Sequence, residues 1–270
     1  MNHSDLTFII PVGIETNDRL RNFLFTSSYL MRICPDANFI IHEMGDVSHI
    51  DDIHHPSLTK MFTKTPKVDK IFYKTWCINR ALEQVTTKVV CIYDVDVLIP
   101  LNSIETSYKE IVENNFDMIL PYTYGPYQKM ILNYEECKNF KNTLNFDEFK
   151  TICTNASYYG HVQFFNTNSY CDMGGENEDI IGWGPEDQEK LYKMHSFGYK
   201  IKYLENSYVW HIEHQRIDPN VEQSDNYTKN MNIFDTIKNM SASEQINYYQ
   251  IQKNKLNIKT NQTSKKSEYV

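Results

Sequence analysis

Lys88-Val-Val-Cys-Ile-Tyr-Asp-Val-Asp96 is the stretch that decides the fold. Five apolar, β-favouring residues run from 89 to 93 without a polar interruption, as in a strand buried on both faces of a sheet. The run stops at two aspartates one residue apart. In open α/β sheets the positions just beyond a strand's carboxyl end face the ligand crevice, so Asp94 and Asp96 stand where a site is built.

Working outward, the same logic recurs on both sides. Leu6-Thr-Phe-Ile-Ile-Pro-Val12 is another short buried strand, stopped by Gly13, and residues 18–32 carry Leu20, Phe23, Leu24, Leu30 and Met31 near helical spacing. Residues 38–43 predict a second strand and 75–85 a helix before the aspartates. Further strands are expected over 117–121, 158–166, 200–203 and 208–211. Strands alternating with helices predict an α/β domain with a mostly parallel central sheet flanked by helices. Four of the nine glycines fall between 174 and 184, marking a loop with unusual dihedrals. Pro185-Glu186-Asp187 then opens a helix with Leu191, Met194 and Phe197 on its apolar stripe and Gly198 at its end. Residues 1–217 form the expected domain. Residues 218–270 turn polar, with one helix expected over 243–251 and a disordered end.

Composition narrows the functions. With 35 acidic and 27 basic residues the net charge is -8, which leaves no general attraction for phosphate backbones, so nucleic acid is not an expected partner. No segment approaches the roughly 18–20 apolar residues of a membrane span, and no signal segment is seen, so the expected setting is the cytoplasm. The Asn-, Lys- and Ile-rich composition suits a microbial or viral source. Six scattered cysteines show no metal-ligand spacing and are expected to be reduced.

Two aspartates at the end of a buried strand are costly unless a cation neutralises them. Hard oxygen ligands suit Mg2+ or Mn2+, which share substrate phosphates. Asp96 is the expected ligand, and Asp94 faces the same ion, its bound water or a nucleotide ribose; the plainer alternative is a pair of loop acids capping a turn. Tyr208-Val-Trp-His-Ile-Glu-His214 ends a strand in two histidines, either of which, His211 or His214, can supply a nitrogen ligand to that ion. Glu186 and Asp187 suit the first helical turn, where acids complement the helix dipole. Trp183, with glycine on both sides, is either core or a loop aromatic that stacks on a sugar.

Asp94-Val-Asp96 behind its apolar run, Gly182-Trp-Gly-Pro-Glu-Asp-Gln-Glu189, and Val209-Trp-His211 together resemble the DxD, GWGxED and terminal metal-histidine motifs of GT-A glycosyltransferases. The resemblance spans residues 6–215 and is to the β1,4-galactosyltransferases, the polypeptide N-acetylgalactosaminyltransferases and chondroitin-polymerase-type enzymes. It implies a GT-A fold, a Mn2+ (or Mg2+) cofactor and a UDP-sugar donor. Asp96 and His211 would ligate the metal, and Asp94 would contact the donor. Pro11, Val12, Glu15 and Arg19 would line the uridine pocket, with Glu43 or Asp46 near the base. Trp183 would form a wall against the sugar. Asp187, with Glu186 beside it, would act as general base on a glycan hydroxyl. The family's inverting members keep Asp at the position of Asp187, so the resemblance implies inversion. Gly160-His161 departs from the family's Gly-Gly segment, and Pro185 replaces a frequent Gly.

Two rival classes make different demands. A nucleotidyltransferase producing activated sugars needs a Gly-rich, basic loop after the first strand, and Gly13-Ile-Glu-Thr-Asn lacks one. A carbohydrate-binding module without turnover would have no use for Asp96, Asp187 and His211 together.

Overall fold

The computed structural model describes residues 2–65, 71–150, 152–215 and 224–256. Its core is a seven-stranded sheet. β1 (Leu6–Val12), β2 (Asn38–Gly45), β3 (Leu58–Lys64), β4 (Val89–Tyr93), β6 (Met118–Leu120), β9 (Val162–Asn166) and β10 (Ile201–Tyr203) stand in the order β10-β6-β9-β4-β1-β2-β3. All neighbours pair parallel except those of β9, which runs against both β4 and β6. The sheet is therefore mostly parallel, and every residue of β1 and β4 is buried, as their unbroken apolar runs require.

Helices α1 (Asn17–Ile33), α2 (Lys74–Leu82), α3 (Leu101–Val112), α4 (Glu135–Thr143), α5 (Thr167–Asp172) and α6 (Glu186–Ser196) connect the strands. Thr16 caps α1 by accepting from Arg19 N at 3.2 Å, which fixes where that helix starts and so where Arg19 points. A second, four-stranded sheet sets β5 (Val97–Leu98), β11 (Val209–Ile212), β7 (Gly125–Ile131) and β8 (Ile152–Ser157) side by side in the order β5-β11-β7-β8. β5 begins immediately after Asp96 and pairs antiparallel with β11, His211 opposite Val97.

Several elements differ from the sequence reading. The strand expected over 158–166 starts only at Val162, because His161 takes a left-handed φ of 73° that ends strand geometry. β3, β5, β7, β8 and the helices α3, α4 and α5 lie outside the elements expected from the sequence. The polar C-terminal region holds two helices, α7 (Asp225–Asn239) and α8 (Ala242–Asn254), where one was expected. α7 buries Phe234 and Ile237, and α8 buries Tyr249, whose hydroxyl donates to Glu189 of α6 at 2.6 Å. The expected disordered end lies outside the described residues. All six cysteines are unpaired. Among the described residues no helix is long and apolar enough to cross a membrane.

Candidate active site

β4 delivers Asp94 and Asp96 to the carboxyl edge of the large sheet, and the short β5 ladder brings β11 alongside. Backbone bonds set the register: Asp94 N donates to His161 O at 2.9 Å, and Ile212 N donates to Asp96 O at 2.8 Å. From α1 the buried Asn22 amide donates to Ile212 O and Glu213 O, both at 3.3 Å, gripping the chain between the two histidines. As a result His211 Nε2 lies 3.6 Å from Asp96 Oδ1 and His214 Nε2 lies 2.9 Å from Asp96 Oδ2. Arg19 reaches Oδ2 at 3.3 Å.

Burial works to raise the Asp96 carboxyl, but His211, His214 and Arg19 together outweigh it and hold the group well below the usual carboxylate range. One ligand atom from each of Asp96, His211 and His214 falls within a 4.8 Å span. Two imidazole nitrogens and one carboxylate oxygen converging in this way fit a divalent transition-metal ion such as Mn2+. Asp94 is outside that trio; its carboxylate pairs with Lys74 at 3.2 Å.

Lys74 is the joint between the two halves of the site. Its ammonium also lies 3.4 Å from Glu186 and 3.6 Å from Asp187, so α2 ties the DxD segment to the start of α6. Glu186 Oε2 accepts from Gly184 N at 3.2 Å. Burial, with Asp187 adding to it against Lys74, pushes the Glu186 carboxyl up to about 7. Burial pushes Asp187 the same way, yet Lys74 and Lys190 pull it down to about 2, so the two neighbouring acids are driven apart. His161, half-buried beside His211 with ring centroids 5.7 Å apart, is held near 4 by desolvation first and by the second imidazole next.

Trp183 is 41% exposed and stacks on Tyr227 of α7 at 5.3 Å. Asn230 of the same helix donates to Trp183 O at 3.0 Å, and a Cβ on Gly184 would lie 2.8 Å from that amide nitrogen, which is why glycine follows the tryptophan.

Of the residues singled out in the sequence, Asp94, Asp96, Arg19, His211, Glu186 and Asp187 are joined through these contacts. Pro11 and Val12 are buried at the end of β1, on the same sheet edge. Glu15 and Asp46 are exposed in the turns after β1 and β2. Glu43 is wholly buried and engaged by His49, whose Nδ1 lies 2.7 Å away. Sequence reasoning missed Lys74 and Lys190. Lys190 had a visible signal, its i,i+3 spacing from Asp187, but such pairs are ordinarily solvent-exposed. Lys74 had none, because its partners lie 20 or more residues away in sequence.

Residues 141–215 match the family model described as the N-terminal domain of galactosyltransferase, a segment that includes Gly160-His161, the Trp183 loop, Asp187 and both site histidines. The structure is similar to GalNAc-T7 with UDP, GalNAc and Mn2+, at a TM-score of 0.55 and 12% identity over 92% of this chain and 54% of that one. The chain has the GT-A glycosyltransferase fold. A further similar structure is the catalytic domain of Drosophila beta1,4galactosyltransferase 7 in complex with xylobiose, at a TM-score of 0.43 and 14% identity over 81% of this chain and 78% of that one. No curated protein matches in sequence. The fold and the family segment together support a glycosyltransferase, and the chain spans about half the length of GalNAc-T7.

Proposed function

We propose that this glycosyltransferase moves a hexose or N-acetylhexosamine from a UDP-sugar to a glycan hydroxyl, with inversion and with a divalent metal ion. The observation that carries the reading is the junction at Lys74. There Lys74 bridges Asp94, two residues before Asp96 of a metal-fitting trio, to the carboxylate pair Glu186 and Asp187. Asp96, His211 and His214 would hold the ion, which when bound supplies positive charge to the departing diphosphate. Asp94 faces the donor, and Pro11, Val12 and Arg19 at the carboxyl edge of β1 and the start of α1 line the nucleotide side. Trp183 forms a wall for the sugar. Asp187, ionised throughout the neutral range, takes the proton of the attacking hydroxyl. A direct attack assisted by this carboxylate base leads to an inverted anomeric centre. The six unpaired cysteines suit a reducing, cytoplasm-like compartment.

The test is a UDP-release screen over UDP-Gal, UDP-GalNAc, UDP-Glc and UDP-GlcNAc with Mn2+, Mg2+ or EDTA. Turnover of one donor with metal, abolished by EDTA and by Asp96→Ala, is expected. The product's anomeric proton coupling should report a β linkage; an α linkage would overturn the inverting assignment.

A further inference from the structure

Asp187 is held from two sides, and the two contacts fall on different oxygens. Lys190 Nζ lies 3.3 Å from Oδ1, whereas Lys74 Nζ lies 3.6 Å from Oδ2. Lys190 has no exposed surface, and its ammonium is fixed by two further acceptors from other parts of the chain. These are Gln163 Oε1 on β9 at 2.6 Å and Glu176 Oε1, in the loop before α6, at 2.7 Å. An ammonium offers three donors, and all three are spoken for here. The acceptors are themselves tied down: the Gln163 amide donates to Tyr159 O at 2.6 Å, and the Tyr170 hydroxyl donates to Glu176. Oδ2 is held more loosely, by the longer contact to the partly exposed Lys74. This oxygen faces Gly160, where a Cβ would lie only 2.7 Å away, and Gly160 O is anchored by the Tyr122 hydroxyl at 2.7 Å.

We infer that Lys190 is the positioning residue of the base: it pins Asp187 Oδ1 so that Oδ2, over Gly160, is the oxygen that receives the acceptor's proton. This rests on the transfer reaction proposed above. As the acceptor oxygen bonds to the anomeric carbon, the bond from that carbon to the diphosphate oxygen breaks, its electron pair leaves with UDP, and the hydroxyl proton passes to Oδ2. Lys190 keeps its own protons throughout. The charged and titratable groups facing Asp187 are Lys74 from α2, Glu186 and Lys190 on its own helix, and His161 before β9, with Glu176 behind Lys190.

The variant Lys190→Met/Glu176→Gln removes the ammonium together with its buried counter-charge, so neither is left unpaired. It should fold, bind UDP within about twofold of wild type, and lose at least about tenfold in kcat, because the base is no longer aimed. The Asp187 carboxyl should titrate about one pH unit higher, having lost one of two adjacent cations, in a carboxyl carbon NMR titration of the metal-free protein, with Asp187→Asn identifying the signal. A folded double variant with wild-type kcat, or an Asp187 titration that does not move, overturns the inference. A wild-type protein that transfers no sugar sinks the transferase reading instead, while the NMR titration still decides what Lys190 does.

Discussion

Asp96 and Asp187 each depend on nearby cations, but those cations come from different kinds of residue. Around Asp96 they are two imidazoles, which can give up their protons, and one arginine that is 28% exposed. Around Asp187 they are two lysines, one wholly buried, held in place by further hydrogen bonds. On the function proposed above, the Asp96 half would exchange its positive charge for an external ion, since imidazolium side chains become ligands once deprotonated. The Asp187 half keeps its positive charge covalently, so that its carboxylate stays ionised and oriented whether or not donor is present.

Breaking one half at a time should therefore produce different defects. The largest effect is expected for Asp187→Asn, which keeps the shape but cannot accept a proton. Transfer should fall by about 10³-fold, with metal-dependent UDP binding, measured by calorimetry, unchanged. His214→Ala should show the reverse pattern: the Mn2+ concentration for half-maximal UDP release should rise about 100-fold, with most of kcat regained at saturating metal. If both variants lose metal binding alike, the division of labour is wrong.

The smallest effect concerns stability and sharpens the contrast between the neighbouring acids. The folded Glu186 carboxyl is raised to about 7 from an ordinary 4.5, so the folded state binds its proton more tightly than the unfolded chain does. Wild-type stability is thus lost as pH rises from about 4.5 through about 7, and a side chain that cannot ionise escapes that loss. Glu186→Gln should gain relative to wild type between pH 5 and pH 8, by on the order of 1–3 kcal/mol, as read from urea midpoints.

Much of this site was legible beforehand because it sits at the ends of strands. The apolar run 89–93 needs no partner to be read as a buried strand, and whatever follows such a strand faces the crevice. The same argument reached His211 and His214, whereas the roles expected of Trp183 and Asp187 came from the resemblance of residues 182–189 to a family motif. Glu43 shows where it stops. The sequence places it at the end of a strand, yet β2 runs on to Gly45 and the carboxylate turns onto His49 in the following loop, a choice that no spacing reveals. The His161 backbone is similar, because its left-handed φ breaks an otherwise continuous strand pattern.

The sequence by itself determined the alternation of buried strands with helices, the sheet edge that carries chemistry and the residue types available there, since periodicity and turn chemistry are local properties of the chain. Only the tertiary structure decided which charges meet. Asp96 and His214 are 118 positions apart, and Lys74 and Asp187 are 113 apart. The energy of a buried ion depends on its distance to a counter-charge and on its shielding from water, and both arise only when the sheet closes.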